Sequence, residues 1–346
     1  MSKWPEIEIK GRKIGQEHRP LVIAEIGINH EGELSKALKM VDDAADSGCE
    51  CVKIQTHVVD DEMIPNRVVP GNANESIWEI MNRCSLTADE EKQVKKYVES
   101  KGMIFLSTPF SRAAAVRLNE LGVEAFKIGS GECNNYPLVQ HIASYNKPVI
   151  LSTGMNTIDS IQVSVDILRK HNIPFALLHC TSVYPTPPEK IRLGVLSQFK
   201  GLYPDAVLGL SDHSLTNYPC LGAVALGASI LERHFTSDKS WPGPDIEISM
   251  SPYELKELIS GSEIIWTASG GSKEVLFEET PTIEFAYASI VSIAPIAAGE
   301  AFSEDNIWVK RPGTGELRAD KFFSLLGKTA LVDIPQDVQI KSSWVS

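Results

Sequence analysis

The sequence predicts an α/β chain in which a TIM (β/α)8 barrel is followed by a small β-rich domain. Short apolar runs alternate with longer amphipathic stretches over the first 270 residues. The alternation repeats eight times, which is the number of strand and helix pairs in such a barrel. From about residue 286 it gives way to short alternating runs divided by glycine and proline, a pattern typical of strands and turns.

The elements follow in order along the chain. Residues 7–14 predict a hairpin that closes the amino-terminal end of the barrel. Each of the eight candidate barrel strands is a short apolar run between turn or polar residues. The candidate strands are Leu21–Ile26, Cys51–Gln55, Met103–Ser107, Ala125–Ile128, Val149–Ser152, Phe175–His179, Ala206–Leu210 and Ser229–His234.

Helical spacing appears between the candidate strands. Leu34, Leu38, Val41 and Ala45 form one apolar stripe, and Leu86–Ser100 contains the capping-box pattern that begins at Thr87. A short helix over 218–227 and a last barrel helix over 252–268 are also expected. We therefore predict a barrel domain over 1–270, a linker over 271–285 and the β-rich domain over 286–346.

Composition narrows the class of protein. With 346 residues, 43% of them hydrophobic and 23% charged, the chain has ordinary globular values. A formal net charge of -12 argues against nucleic acid or an anionic membrane as a partner. The six cysteines include no CxxC pair, residues 1–6 lack the apolar core of a signal peptide, and no apolar run is long enough to span a membrane. A cytoplasmic enzyme is the expectation.

Two histidines lie at the ends of neighbouring candidate strands. His213 follows the run at 206–210, and His234 ends the run at 229–234, with one predicted helix between them. In a parallel barrel both rings emerge on the face where such folds keep their chemistry. Two imidazoles with free coordination positions suit a divalent Lewis acid, so we predict a metal site. The alternative for each ring is a buried histidine that only bonds to a carbonyl.

A second group of polar residues shares that face. Lys53 and Gln55 are two positions apart on one candidate strand, so both side chains face the same way. Lys127 repeats the pattern on another strand, and a lysine inside a barrel needs an anion or a carboxylate beside it. With the lysines, the serines predicted to hold a phosphate and a carboxylate are Ser130, Ser152 and Ser211.

Carboxylates complete the predicted site. Glu25 at the end of the first candidate strand, Glu132 and Asp245 are candidates for proton transfer or for binding sugar hydroxyls. By contrast, the acidic run at 60–62 is expected to be a solvated loop.

These stretches as a set resemble the sialic acid synthase family. The matching stretches run from about residue 20 to the C-terminus, and the tail resembles the antifreeze-like (SAF) domain that closes these synthases. The stretches that carry the resemblance are 24–32 (AEIGINHEG), 53–57 (KIQTH), 70–73 (PGNA), 106–111 (LSTPFS), 126–137 (FKIGSGECNNYP), 151–156 (LSTGMN), 179–185 (HCTSVYP), 209–213 (GLSDH), 231–236 (LERHFT) and 308–313 (WVKRPG).

The resemblance implies that His213 and His234 bind a divalent ion, typically manganese. It assigns phosphoenolpyruvate to Lys53, Lys127 and the three serines. For an N-acetylated hexosamine, N-acetylmannosamine in this family, it suggests Gln55, Asn72, Thr108, Glu132, Tyr184 and Asp245. It further implies a domain-swapped homodimer, in which Arg311 reaches the partner's site and Phe285 packs into the partner's barrel mouth.

The mechanism so implied joins C3 of phosphoenolpyruvate to the sugar aldehyde, adds water at C2 and expels phosphate by C–O cleavage. Glu25 or Glu132 handles the water or a sugar hydroxyl, and the sequence does not choose between them. Synthases of legionaminic and pseudaminic acid share these motifs, so the acceptor stays open. A Schiff-base aldolase using Lys53 or Lys127, and a non-catalytic sugar-binding protein, are the rival interpretations.

Overall fold

The computed structural model describes residues 4–346, and the chain divides into two compact units, one ending at Gly270 and the other spanning Gly271–Ser346. The prediction that residues 1–6 lack the core of a signal peptide falls partly on residues 1–3, which lie outside the described residues. Among the described residues, no helix is both long and apolar enough to cross a membrane.

Residues 4–346 form twelve strands, numbered in chain order. They are β1 Glu6–Ile9, β2 Arg12–Gly15, β3 Leu21–Gly27, β4 Cys51–Thr56, β5 Ile104–Pro109, β6 Phe126–Ile128, β7 Val149–Ser152, β8 Phe175–Cys180, β9 Val207–Asp212, β10 Ile230–His234, β11 Ser289–Ser292 and β12 Ile307–Lys310.

The α-helices of the described chain are labelled in the same way. They are α1 Leu34–Asp46, α2 Val59–Glu62, α3 Ile77–Cys84, α4 Ala88–Ser100, α5 Arg112–Glu120, α6 Tyr136–Ala143, α7 Ile158–Lys170, α8 Pro188–Ile191, α9 Gly194–Leu202, α10 Tyr218–Ala225, α11 Pro252–Ala268, α12 Thr280–Ala286 and α13 Phe322–Leu325.

The first unit is the predicted barrel. Strands β3 to β10 form one eight-stranded sheet in the order β5-β4-β3-β10-β9-β8-β7-β6, and the hydrogen-bonded pairs given for it are parallel. The sheet curls until β5 and β6 lie side by side, which nearly closes the barrel. The eight predicted strands are confirmed, with ends that move by no more than two residues.

Local sequence explains where several helices begin. Thr87 accepts a hydrogen bond from the backbone N–H of Glu90, whose carboxylate in turn accepts from Thr87, so α4 begins with the predicted capping box. Ser251 and Glu254 do the same at α11. The predicted helices at 34–45, 218–227 and 252–268 are confirmed as α1, α10 and α11. The expected loop at 60–62 is wrong, because these residues lie in α2.

The barrel interior has two layers. At the amino end, inward-facing apolar side chains of the strands pack with the β1–β2 hairpin through Ile7, Ile9 and Ile14. The hairpin thus covers that end, as predicted. Further along seven of the eight strands, the same inward direction carries polar or charged groups, since side chains alternate along a strand. Those groups are Glu25, Lys53, Thr108, Lys127, Ser152, Ser211 and Glu232.

The second unit is small and β-rich. Strands β11 and β12 pair antiparallel, and isolated bridges such as Ile296 with Ile334 add further pairing. Its own apolar core includes Ile290, Phe302 and Ile307. Residues 271–285 contain a 3-10 turn at Phe277–Glu279 and most of α12, and they belong to this unit rather than standing apart.

Candidate active site at the carboxyl end of the barrel

A cavity of about 380 Å³ opens at the carboxyl ends of the barrel strands. Twelve of the predicted site residues line it, and they come from the ends of the eight barrel strands or from the loops that follow. They are Glu25, Lys53, Gln55, Asn72, Thr108, Lys127, Ser130, Ser152, Tyr184, Ser211, His213 and His234.

Buried charge dominates the cavity floor. Lys53 Nζ lies 2.5 Å from Glu25 Oε2 and 3.9 Å from Glu232 Oε1, while Lys127 Nζ lies 3.3 Å from Glu232 Oε1. Lys53 also donates to Thr108 Oγ1 at 2.9 Å. The two lysines therefore share Glu232, and each cation is compensated within the protein, as the desolvation cost of a buried charge requires.

The two lysines differ in their electrostatic setting. Burial lowers the pKa of Lys127, which has Glu232 as its near carboxylate. Burial also acts on Lys53, but Glu232 and Glu25 together outweigh it and raise the pKa of Lys53. Lys127 is thus the lysine whose positive charge is held less firmly, and an arriving anion would stabilise it most.

The histidine rings face each other at the rim. Their centroids are 5.6 Å apart, and the Tyr184 ring lies 4.2 Å from that of His213 and 6.3 Å from that of His234. His234 Nδ1 is buried without a hydrogen bond and lies 3.7 Å from Asp245 Oδ2. Asp245 does not line the cavity and stands behind this ring.

The histidine pair fits a divalent ion. His213 uses Nδ1 towards the carbonyl oxygen of Thr181, at 3.0 Å, which leaves Nε2 free to coordinate, a common arrangement for metal-binding histidines. Against the effect of burial, Cys180 raises the pKa of His213 to about 9, and a metal ion binds only the neutral ring, so binding releases a proton. In residues 4–346 no group of three or more His, Cys, Asp or Glu is arranged as metal ligands, so the fit rests on these two imidazoles.

Two serine hydroxyls in the cavity have contrasting surroundings. Ser152 Oγ is buried and has no hydrogen-bond partner, although a buried hydroxyl normally has one. Ser130 Oγ accepts from the backbone N–H of Gly154 at 2.9 Å. A methyl group on Gly154 would approach Ser182 Oγ to 2.4 Å and Ser130 Oγ to 2.9 Å, so only glycine fits beside these hydroxyls.

Glu132 lies under the cavity wall. Its Oε2 is buried without a partner, and burial, followed by the nearby charge of Glu62, raises the pKa of Glu132 to about 7. A methyl group on Gly129, which lines the cavity, would approach this oxygen to 2.9 Å. Glu132 is therefore separated from the cavity by a single glycine.

Comparison with known proteins identifies the family. The model of the NeuB family matches residues 40–274, which is most of the barrel unit, and the model of the SAF domain matches residues 287–343. The chain belongs to the NeuB family. The predicted family resemblance and the SAF domain are thereby confirmed.

Relatives of this NeuB-family chain are named as sugar-acid synthases. The N-acetylneuraminate-9-phosphate synthase of Homo sapiens is 32% identical over 98% of this chain and 97% of its own. The N,N'-diacetyllegionaminic acid synthase of Campylobacter jejuni is 36% identical over 93% and 99%. The crystal structure of the N-acetylneuraminic acid synthetase of Leptospira borgpetersenii has 34% identity and a TM-score of 0.74, covering 81% of this chain and 96% of its own.

Not every predicted residue is part of this barrel cavity. Phe285 and Arg311 belong to the second unit, where Phe285 is exposed and Arg311 lies just after β12. Their roles stay predictions.

Sequence reasoning missed Glu232, which bridges both lysines. The signal was present, because Glu232 stands two residues before His234 on the same strand and must face the same way. It also missed Cys180, which lines the cavity beside His213, and the pair His57 and Glu62. No periodic pattern pointed to that pair, since it depends on the fold of the loop after β4.

Proposed function

We propose that this chain is a metal-dependent synthase that condenses phosphoenolpyruvate with N-acetylmannosamine to give N-acetylneuraminate and phosphate. The observation that carries the proposal is one cavity lined by two facing imidazoles, two buried lysines and a buried serine hydroxyl that lacks a partner. The names of the relatives support the same class of reaction.

In this proposal phosphoenolpyruvate binds over the lysines. Its phosphate and carboxylate accept hydrogen bonds from Ser130, Ser152 and Ser211, and the cations of Lys53 and Lys127 balance its charge. Glu25 and Glu232 keep both lysines charged and in place. Because each lysine is already held by a carboxylate, little reorganisation is needed when the anion arrives.

His213 and His234 would hold the divalent ion, manganese in this proposal. When bound, such an ion supplies a Lewis acid that polarises the carbonyl oxygen of the sugar. Gln55, Asn72, Thr108 and Tyr184, which line the cavity, would then orient the acceptor. Asp245, the remaining residue predicted for the acceptor, would act from behind the ring of His234.

The reaction forms the bond between C3 of phosphoenolpyruvate and the aldehyde carbon, and the aldehyde oxygen gains a proton. A water oxygen bonds to C2 and loses one proton. The bond from C2 to the phosphate oxygen then breaks as the C2 hydroxyl becomes a carbonyl, and the remaining hydroxyl proton passes to the departing phosphate. Glu132 has a pKa of about 7, which suits proton exchange near neutral pH, and from behind Gly129 it would act through a bridging water. Glu25, paired with Lys53, is the other carboxylate candidate.

We also propose that the enzyme acts as a domain-swapped homodimer in which Arg311 and Phe285 serve the partner's site. Both residues are in the SAF-containing unit, as the proposal requires. A cytoplasmic location is proposed because all six cysteines are unpaired.

A second candidate is the synthesis of a legionaminic-type acid from a 2,4-diacetamido sugar. The observation that favours it is the higher identity, 36%, to the diacetyllegionaminic acid synthase. The two candidates differ in the acceptor and share the chemistry.

The test is to incubate the purified protein with phosphoenolpyruvate, manganese and each candidate sugar, and to measure phosphate and product mass. The proposal predicts equal amounts of phosphate and nonulosonic acid with N-acetylmannosamine, and phosphate that carries the bridging oxygen of labelled phosphoenolpyruvate. Turnover with the 2,4-diacetamido sugar alone would favour the second candidate. No phosphate release with any of these sugars would refute both.

A further inference from the structure

His57 and Glu62 form a buried pair beside the cavity. His57 directly follows β4, and its ring stacks on Phe110 with centroids 4.5 Å apart and planes 14° apart. Nδ1 lies 2.7 Å from Glu62 Oε2, and Nε2 lies 3.2 Å from Gln55 Oε1. The ring is therefore held by its face and by both nitrogens, and Gln55 connects it to the cavity.

The contacts of Gln55 fix which end of its amide faces which neighbour. Its Nε2 donates to Glu25 Oε1 at 3.0 Å, and an ionised carboxylate can only accept. The carbonyl Oε1 must then point to His57. One amide hydrogen is used by Glu25, and the second is left for the cavity that Gln55 lines.

The same reasoning fixes the hydrogens of His57. Its Nε2 faces a carbonyl oxygen and its Nδ1 faces a carboxylate, and both of these only accept. A ring with one hydrogen would turn a lone pair towards one of them, so the geometry is satisfied when both nitrogens donate. The charge is then balanced by Glu62 and lies against the face of Phe110, a favourable place for a cation.

The other histidine near this ring, His30, does not add a second positive charge. Burial, and after it the charge of His57, lowers the pKa of His30 to about 4. His30 therefore stays neutral near pH 7, while its Nδ1 accepts from the backbone N–H of Gly32.

We propose that His57 and Glu62 are positioning residues that lock the Gln55 amide, so that an N–H donor and not a carbonyl faces the acceptor sugar. The inference rests on the proposed function in that Gln55 contacts the acceptor. The sugar atom opposite Gln55 must then be a hydrogen-bond acceptor, a hydroxyl or acetamido oxygen.

Steady-state kinetics tests the positioning role. We expect His57→Ala to raise the KM for the acceptor about tenfold, within the range that supporting residues of a site show, while the KM for phosphoenolpyruvate changes less than twofold. His57→Gln is expected to recover most of the loss, because its side-chain N–H₂ can donate to Gln55 Oε1. The matched control is Asp60→Asn on the same short helix, whose exposed side chain should leave both constants unchanged.

Equal losses for both substrates, or no recovery in His57→Gln, would overturn the positioning role. A thermal unfolding curve for each variant shows whether a loss reflects misfolding. If His57→Ala does not fold, Glu62→Gln provides the second test, with the same selective rise in the acceptor KM.

A ¹⁵N NMR experiment on histidine-labelled resting enzyme tests the pair without turnover. We expect the His57 ring to give a signal with both nitrogens protonated, separate from that of His213, and we expect this signal to be absent in His57→Gln and changed in Glu62→Gln. A His57 ring with one unprotonated nitrogen would contradict the inference. Wild-type protein that shows this signal but no turnover with any sugar would refute the proposed function and leave the paired geometry intact.

Discussion

The two ends of the barrel interior use the same strands for opposite purposes. At the amino end the inward side chains are apolar, for example Ile23, Ile150 and Ile230, and they pack against the hairpin. Two residues further on, the inward positions become Glu25, Ser152 and Glu232. The amino end gains stability from burying apolar area, whereas the carboxyl end buries charge at a cost that only a ligand-binding role explains.

The largest effect on turnover is expected from substitutions of the histidine pair. His213→Ala or His234→Ala should lower turnover by roughly a thousandfold. A Lewis acid stabilises the transition state by several kcal/mol, and each 1.36 kcal/mol of activation free energy changes the rate about tenfold. Phosphate release under saturating manganese and phosphoenolpyruvate measures this. The control is His171→Ala, which removes a partly exposed ring directly after the end of α7 and outside the cavity. Turnover within threefold of wild type in either site variant would contradict the assignment.

The next effect concerns the buried charges. Lys127→Met should lower the free energy of unfolding by about 3–5 kcal/mol. The substitution removes the cation nearest to Glu232, so the buried charge of that carboxylate is no longer fully compensated. Adding Glu232→Gln should restore most of that stability but no activity. Denaturant unfolding of the single and double variants checks it. A double variant no more stable than the single one would show that the two residues are not coupled.

At the amino end, Ile14→Ala should cost about 2–4 kcal/mol by leaving a cavity where the hairpin meets the strands. In this variant the free energy of unfolding should fall, while the KM values for both substrates should stay the same at a temperature where the variant is folded. A selective change in one KM would mean that the two layers do not have separate roles.

A smaller effect should follow from Glu132. Its folded pKa of about 7 exceeds the ordinary carboxyl value, so the folded state holds a proton that the unfolded chain has lost, and stability falls as pH rises from about 4.5 to 7. Glu132→Gln should remove this fall, on the order of 1–3 kcal/mol. Unfolding measured at pH 5 and pH 8 tests the sign, and a wild-type protein that gains stability relative to Glu132→Gln over that range would contradict it.

Glu91 provides the comparison for that pH effect. It is fully buried in α4, where burial raises its pKa to about 7, and it lies 3.5 Å from Arg117. Glu91→Gln should alter the pH dependence of stability in the same sense, yet leave the pH profile of turnover unchanged because Glu91 does not line the cavity.

Periodicity was sufficient to predict the barrel, because each strand is a short apolar run and several helices have a capping box or an apolar stripe. It was also sufficient for Lys53 and Gln55, whose spacing of two places them on one side of a strand. It failed for Glu62. An acidic run looks solvated in isolation, and only the packing of α2 brings Glu62 to His57.

Residues in the second unit mark another limit. Phe285 and Arg311 were assigned from resemblance, and their proposed contacts depend on a partner chain, which no pattern within one chain encodes. Glu232 was missed for a different reason, since the strand alternation that identifies it was applied to the lysines and not to β10.

We propose that the carboxyl end of the barrel binds one divalent ion between His213 and His234. Calorimetric titration of metal-free protein with manganese measures this binding directly. One site per chain is expected in the wild type and in His171→Ala, and no measurable site in either His213→Ala or His234→Ala. Undiminished manganese binding in both of these variants would contradict it.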